Sequence, residues 1–323
     1  MLNPLSSKDT AIQIALILKC EDLYNLCSTN KDLREWIWNN GQFWNQKINQ
    51  DFKINTCEML GRSGASDDYR FLYNIKDDGQ TMLNDLLVDE SETVNTDHIK
   101  FLLKKVADIH AKNHIVFRLA AAYGHREITE LLLNNGADIH IYGDEALRWA
   151  ARNGHKDVVE LLLNNGADIH ASDDQALIWA VRYGHRDVTE LLLNNGADIH
   201  IYNDEALRDA ARNGHRDIVE LLLKNGANIH ANNDETLRDA AINGHKDVTE
   251  LLLKNGANIH ANNDETLRDV AKNGHRDVVE LLLKNGANIH ANNDEALRWA
   301  ARNGHRDVTE LLLKNGANPA VLN

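Results

Sequence analysis

Residues 144–170 read DEALRWAARNGHKDVVELLLNNGADIH, and close copies of this stretch fill the chain after about residue 97. The dipeptide Gly-His marks the register, because it recurs at a constant interval, at Gly124-His125, Gly154-His155 and so on to Gly304-His305. A fixed period of this size is typical of solenoids, in which each unit buries its apolar face only against its neighbours. The sequence therefore predicts a repetitive all-α array of stacked helix pairs.

Each unit is expected to contain two short helices. Asp144 or Glu145 is predicted to accept the free backbone N–H groups of the first helix, whose dipole also favours an acidic residue there. The pair Asn153-Gly154 is expected to end that helix, with glycine in the left-handed conformation. The second helix is predicted from about His155 to Asn165, and residues 167–170 are expected to lead out as an extended segment.

The repeated pattern G-H-x-D/E-V-V-x-L-L-L-x-x-G-A-D-I resembles the second helix and exit of an ankyrin repeat, over residues 97–320. The resemblance implies seven full repeats after a degenerate leading one. The usual ankyrin period is about 33 residues, so the shorter interval from Gly124 to Gly154 implies shortened hairpin loops. The family's T-P-L-H entry is replaced by Glu145-Ala-Leu-Arg148, where an acid and Arg148 are expected to take over its hydrogen bonding. Both departures resemble the ankyrin proteins of giant DNA viruses of amoebae.

Residues 1–60 do not follow the period, and their pattern resembles an F-box, a small helical segment that docks on the linker subunit of a cullin–RING ubiquitin ligase. An alternative is that these residues form only an end cap of the array. Residues 61–96 are interpreted as a linker and an irregular first layer, and residues 97–323 as the array. The resemblance implies that the ligase-docking or core positions are Leu18, Leu23, Leu26, Ile37 and Trp44.

Composition restricts the possible partners. The formal net charge of −14 disfavours contact with nucleic acid or with an acidic membrane surface. No apolar run reaches the length of a membrane span, and the cysteines Cys20, Cys27 and Cys57 all precede the repeats. We expect an intracellular, cytoplasmic protein, in the host cell cytoplasm if the chain is viral.

The motifs favour binding over catalysis. Fourteen of the sixteen histidines recur at two positions of the repeat. Equivalent histidines of neighbouring layers, about 8–10 Å apart, are too distant to share one zinc ion. The sequence has no phosphate-binding glycine loop and no nucleophile elbow. We therefore expect no enzyme, no cofactor and no metal, and a scaffold that binds protein partners. It either recruits a target to a ubiquitin ligase or binds a partner with no role in ubiquitination.

Positions that vary between repeats indicate where a partner binds, and aromatic residues collect in the units spanning 115–205. Tyrosine and tryptophan are frequent in binding hot spots. We interpret Trp149 and Trp179 as core residues, because ankyrin repeats usually hold leucine there. The candidate partner-binding residues are Tyr123, Tyr142, Tyr183 and Tyr202.

Overall fold

The computed structural model describes residues 111–322, which contain fourteen α-helices in seven pairs and no strand. The all-helical ankyrin solenoid expected from the sequence is thereby confirmed, whereas the F-box-like segment lies outside the described residues. The first helices of the pairs are α1 (Ala111–Ala122), α3 (Glu145–Arg152), α5 (Ala171–Arg182), α7 (Ile201–Arg212), α9 (Ala231–Ile242), α11 (Ala261–Asn273) and α13 (Ala291–Arg302). The second helices are α2 (Arg126–Asn134), α4 (Lys156–Asn164), α6 (Arg186–Asn194), α8 (Arg216–Lys224), α10 (Lys246–Lys254), α12 (Arg276–Lys284) and α14 (Arg306–Lys314), and a 3₁₀ turn follows at Pro319–Leu322.

The chain divides into two compact units. The described part of the first consists of residues 111–120 and 127–137, where Phe117 and Leu132 are fully buried. The second contains residues 121–126 and 138–322, and it holds α3 to α14. Within it each first helix packs against the first helices of the neighbouring repeats and against the second helix of its own repeat.

The core of the second unit consists of small and branched aliphatic side chains. In the repeat of α3 and α4, Leu147, Ala150 and Ala151 on the first helix and Val158 and Leu162 on the second are completely or almost completely buried. The alanine pair lets neighbouring first helices approach closely, since a methyl group occupies little space between two backbones. The apolar periodicity of the sequence thus places the same face inward in every repeat.

The Gly-His dipeptide joins each repeat to the one before it. The Nε2 of His245 donates a hydrogen bond of 2.9 Å to the carbonyl of Arg212, and its ring covers Gly214. A Cβ on Gly214 would lie 2.7 Å from the His245 Nδ1, so only glycine fits beneath the ring. The same glycine has φ +78°, as expected for the residue that ends the first helix. Equivalent bonds of 2.8–3.1 Å are made by His155, His185, His215, His275 and His305.

From the repeat of α3 onward, a buried aspartate joins each repeat to the segment after it. Asp234 is only 6% exposed, and its Oδ1 accepts the backbone N–H of Asn258 at 2.7 Å, 24 residues along the chain. The same carboxylate accepts a hydrogen bond from Nδ1 of His230 at 3.0 Å. Two N–H donors therefore satisfy a carboxylate that burial would otherwise destabilise. The equivalent aspartates that bridge in the same way are Asp144, Asp174, Asp204, Asp264 and Asp294.

This aspartate does not cap the first helix, so of the two acids expected to do so, Asp144 was the wrong choice. Asp144 has φ +53° and makes no capping hydrogen bond with its side chain. Tyr142 and Gly143 before it are also left-handed, with φ of 50° and 64°. Three left-handed residues in succession turn the carboxylate away from the helix start and toward the next repeat.

The segment before the loop also differs from the expectation, because residues 167–170 turn instead of extending. The Asp168 side chain accepts the backbone N–H of His170 at 2.9 Å, and the carbonyl of Asp168 accepts the N–H of Ala171 at 3.1 Å. Aspartate and asparagine favour such turns, in which the side chain bonds the backbone two residues on. The tight turn and the left-handed loop together form the short connection that replaces a longer hairpin.

No helix in residues 111–322 is long and apolar enough to cross a membrane.

Candidate binding surface

The exposed face of the first helices is formed by the same positions in each repeat. On α3, Ala146, Leu147, Ala150 and Ala151 are buried, so the side chains at 145, 148, 149 and 152 lie on the opposite side. Helical periodicity places 145, 148, 149 and 152 next to one another. We call this surface, with its equivalents on α5 to α13, the first-helix face.

In the middle repeats the first-helix face carries ion pairs between neighbouring helices. The Nε of Arg182 donates to Oδ2 of Asp209 at 2.8 Å, and an Nη of Arg212 donates to Oδ2 of Asp239 at 2.6 Å. Both aspartates are almost fully buried. Burial raises the pKa of Asp239, and the hydrogen bond from Arg212 opposes that rise. Each arginine therefore neutralises a carboxylate of the following repeat.

On α3 and α5 the same positions carry aromatic rings. The guanidinium carbon of Arg152 lies 5.4 Å from the ring centre of Trp149, 5.6 Å from that of Trp179 and 5.0 Å from that of Tyr183. The guanidinium carbon of Arg148 lies 5.8 Å from the ring centre of Trp179. These are distances at which a cation is attracted to an aromatic face. We call these five residues the Arg–aromatic cluster.

The tryptophans of this cluster are not core residues, so the expectation that Trp149 and Trp179 fill leucine positions of the core was wrong. Trp149 is 37% exposed and Trp179 is half-buried. The interior beside them is already filled by Ala150, Leu147 and their equivalents, so the indole rings lie on the surface over the arginine side chains. Their exposed aromatic area is available for contact.

The four tyrosines singled out from the sequence do not come together. Tyr183 is 48% exposed and belongs to the Arg–aromatic cluster, at the end of α5. Tyr142 and Tyr202, 53% and 57% exposed, lie in the left-handed loops before α3 and in the first turn of α7. Tyr123 is half-buried at the end of α1, with its ring 6.4 Å from that of His125. The loop tyrosines and the helix-end tyrosines thus mark opposite ends of the first helices.

Tyr202 also has a partner of its own. Its hydroxyl donates a hydrogen bond of 2.6 Å to Oδ2 of Asp173 in the preceding loop. This bond to a carboxylate raises the pKa of Tyr202, because the carboxylate disfavours the phenolate. The bond ties two neighbouring loops together and fixes the direction of an exposed ring.

Sequence reasoning missed the arginines of the Arg–aromatic cluster. The signal was present: Trp149 and Arg152 are one turn apart on one helix, and Trp179 occupies the position of Trp149 in the following repeat. When successive repeats stack with an offset of one repeat, Trp149, Arg152 and Trp179 lie next to one another.

The Gly-His histidines from His155 to His305 bond a carbonyl of the preceding repeat through Nε2. The histidines before the loops, from His140 to His290, bond an aspartate through Nδ1. Among residues 111–322 no three His, Cys, Asp or Glu side chains are grouped as metal ligands. The predicted ligase-docking residues lie outside the described part of the chain, and they are Leu18, Leu23, Leu26, Ile37 and Trp44.

Comparison with known proteins agrees with the geometry of the repeats. The family model for ankyrin repeats (3 copies) matches residues 90–173, 117–203, 170–233 and 237–323. Among curated proteins, none matches the chain significantly. Among solved structures, the crystal structure of the human ASB11 ankyrin repeat domain is similar, with 26% sequence identity and a TM-score of 0.56. The similarity covers 63% of this chain and 98% of that one. Because the family model matches most of the length of this chain, the chain belongs to the family of ankyrin repeat proteins, whose repeats serve protein–protein interaction.

Proposed function

We propose that this chain is a non-enzymatic scaffold that holds a partner protein on its first-helix face, centred on the Arg–aromatic cluster. The observation that supports this most directly is the set of three partly exposed aromatic rings around Arg152. Interface hot spots are enriched in tryptophan, tyrosine and arginine. Because 37% of the Trp149 side chain is exposed, this residue does not serve as core packing in the free protein.

The rings around Arg152 are also held in place before any partner arrives. Arg152 lies against rings from two successive first helices, so each contact restricts the others. A side chain ordered in the free protein loses less conformational entropy on binding. The exposed Tyr142 and Tyr202, and the half-buried Tyr123, supply further contacts at the ends of the face.

Alanine substitution in the full chain tests this surface. A binding protein is first selected from a displayed protein library, and its Kd is measured for the wild type and for the Trp149→Ala, Tyr183→Ala double variant. We expect affinity to fall by about tenfold or more, as for hot-spot side chains. Glu160→Ala on α4 is the control, because Glu160 is exposed on the second helix of the same repeat. Equal affinity of the wild type and the double variant would contradict the proposal.

We further propose that residues 1–60 connect the bound partner to a cullin–RING ubiquitin ligase. The support is the F-box-like sequence pattern, in which Leu18, Leu23, Leu26, Ile37 and Trp44 occupy the family's docking or core positions. The alternative is a plain binding protein whose first residues only cap the array.

A pull-down of the full chain with the linker subunit of the ligase distinguishes these two roles. We expect the wild type to bind and the Leu23→Asp, Leu26→Asp double variant to lose binding while its circular dichroism shows unchanged helical content. A wild type that fails to bind the linker subunit would leave the scaffold role without ubiquitin transfer.

A further inference from the structure

Helix α5 differs from the later first helices at two positions that elsewhere carry acids. Most of the later first helices offer a glutamate and an aspartate to the arginines of the preceding repeat, as Glu235 and Asp239 do on α9. On α5 these positions are Gln175 and Trp179. Among α5, α7, α9, α11 and α13, α5 alone lacks both carboxylates.

The two arginines of α3 therefore keep their charge without a carboxylate beside it. The Arg148 guanidinium donates only to neutral oxygens, namely Oε1 of Gln175 at 2.6 Å and the carbonyls of Tyr142 and Gly143 at 2.7 and 3.1 Å. The Arg152 guanidinium contacts aromatic rings alone. Neither guanidinium forms an ion pair within the part of the chain that the structure describes.

The equivalent arginines two repeats later each have the carboxylate partner that Arg148 and Arg152 lack. Arg208 lies 2.9 Å from Oε2 of Glu235, and Arg212 lies 2.6 Å from Oδ2 of Asp239. The backbone repeats with the same register, so the acids of α9 mark where carboxylates bind such arginines.

We propose that the Arg–aromatic cluster binds an acidic segment of the partner protein, whose Asp or Glu carboxylates pair with Arg148 and Arg152. The inference rests on the proposed function and names the chemistry of its partner. The two arginines are one turn apart on one helix, so their Cβ atoms are about 6 Å apart. That separation fits two acids on one face of a short segment, with an apolar side chain between them against Trp149 and Trp179.

Stacked arginines suit this role. A guanidinium whose face lies on an aromatic ring still presents its N–H groups along its edge, where a carboxylate binds in bidentate fashion. The chain's net charge of −14 repels an acidic partner at long range. At physiological ionic strength charges beyond about 8 Å are largely screened, so the two nearby arginines decide the local attraction.

The decisive variant gives α5 the acids of its neighbours. Gln175→Glu with Trp179→Asp reproduces the residues of α9, which the same backbone accommodates, and it neutralises Arg148 and Arg152 within the chain. The reciprocal variant combines Asp209→Trp, Glu235→Gln, Asp239→Trp and Asn243→Tyr, and it rebuilds all five residues of the Arg–aromatic cluster around Arg208 and Arg212. Circular dichroism verifies that both keep their helical content.

The probe is a library of random twelve-residue peptides displayed on phage, selected against the full-length wild type and against the α5 double variant. We expect acidic residues to be enriched on the wild type and the enrichment to disappear on the variant. The most enriched peptide should bind the variant at least about tenfold more weakly, and its Glu→Gln form should bind the wild type at least about tenfold more weakly. The reciprocal variant should bind two copies of that peptide where the wild type binds one.

Three results would overturn the inference: no enrichment on the wild type relative to the variant, enriched peptides without acidic bias, or tighter binding by a phosphoserine form of the best peptide. These outcomes are separable from failure of the proposed function. If Trp149→Ala with Tyr183→Ala weakens the selected partner protein while acidic peptides show no preference, the surface stands and the acidic class is wrong. If neither set of variants changes any binding, the surface itself is wrong.

Discussion

Replacing Gly214 with alanine tests the contact that joins successive repeats. The new Cβ would lie 2.7 Å from Nδ1 and 2.8 Å from Cε1 of His245, so the ring has to move. A left-handed alanine costs about 1 kcal/mol relative to glycine. Overpacking against the ring costs about 1–3 kcal/mol more, including the strained or lost 2.9 Å bond from His245 to the Arg212 carbonyl. The free energy of unfolding should therefore fall by about 2–4 kcal/mol.

A double-mutant cycle separates the two costs. In a His245→Ala background the ring is gone, so Gly214→Ala should cost only the left-handed penalty of about 1 kcal/mol. Gly304→Ala is a second control, since Gly304 has φ +79° and its Cβ would meet nothing within 4 Å. Urea unfolding followed by circular dichroism measures each of these proteins. If Gly214→Ala costs the same with and without the His245 ring, the steric explanation is refuted.

Three further predictions concern the loops and the histidines. Asp234→Ala should lower the free energy of unfolding by about 2–3 kcal/mol in urea, because it leaves a backbone N–H of the next repeat without its acceptor; an unchanged midpoint would contradict the bridging role. Burial lowers the pKa of His155, so the contribution of this residue to stability is complete above pH 6.5 and is lost as the pH falls through the lowered value. The hydrogen bond to Asp174 raises the pKa of His170. The contribution of His170 is therefore complete below pH 6.5 and is lost as the pH rises through the raised value. NMR titration of the ring protons should show His170 titrating above His155, and the reverse order would be inconsistent with this assignment. Ser172→Asn should stabilise the protein and Asn232→Ser should destabilise it, each by about 0.5 kcal/mol, because both positions have φ near +50° and asparagine tolerates that region better than serine. The melting temperature should rise in the first variant and fall in the second, and shifts of the same sign would rule this out.

The period of the sequence was enough to predict the helix pairs and the glycines between them. Gly154 takes the left-handed conformation expected at the end of a helix, and Val158 and Leu162 face the core as their spacing requires. These features depend on contacts within one repeat or on a strict periodicity, which a single sequence displays directly.

Contacts between repeats were harder to predict, because they depend on how the helices stack. Asp144 precedes a helix and has the chemistry of a cap, yet its carboxylate bonds a residue 24 positions later. The left-handed loop that aims it there is encoded by Tyr142-Gly143-Asp144 and, in later repeats, by Asn-Asn-Asp. Asparagine, aspartate and glycine at three successive positions are an available signal for such a loop.

The candidate binding surface was predicted only in part. The aromatic enrichment of the early repeats was visible, and Tyr183 was among the residues chosen from it. The importance of Gln175 was not visible in the sequence. The structure shows that the equivalent Glu235 pairs with Arg208, and only this comparison reveals that Gln175 leaves Arg148 without a carboxylate.

The bridges between repeats have a consequence for how such a chain can change length. From the repeat of α3 onward, the described junctions use the same offsets, from a histidine back to a carbonyl of the preceding repeat and from an aspartate forward to an N–H of the following one. Recombination between two copies that adds or removes a whole number of repeats therefore restores each of these bonds at the new junction. The number of uniform repeats after Asp204 can change without altering Arg148, Arg152 or Trp179. A lineage can thus lengthen or shorten the stack while Gln175 and Trp179, the neutral residues beside Arg148 and Arg152, stay in place.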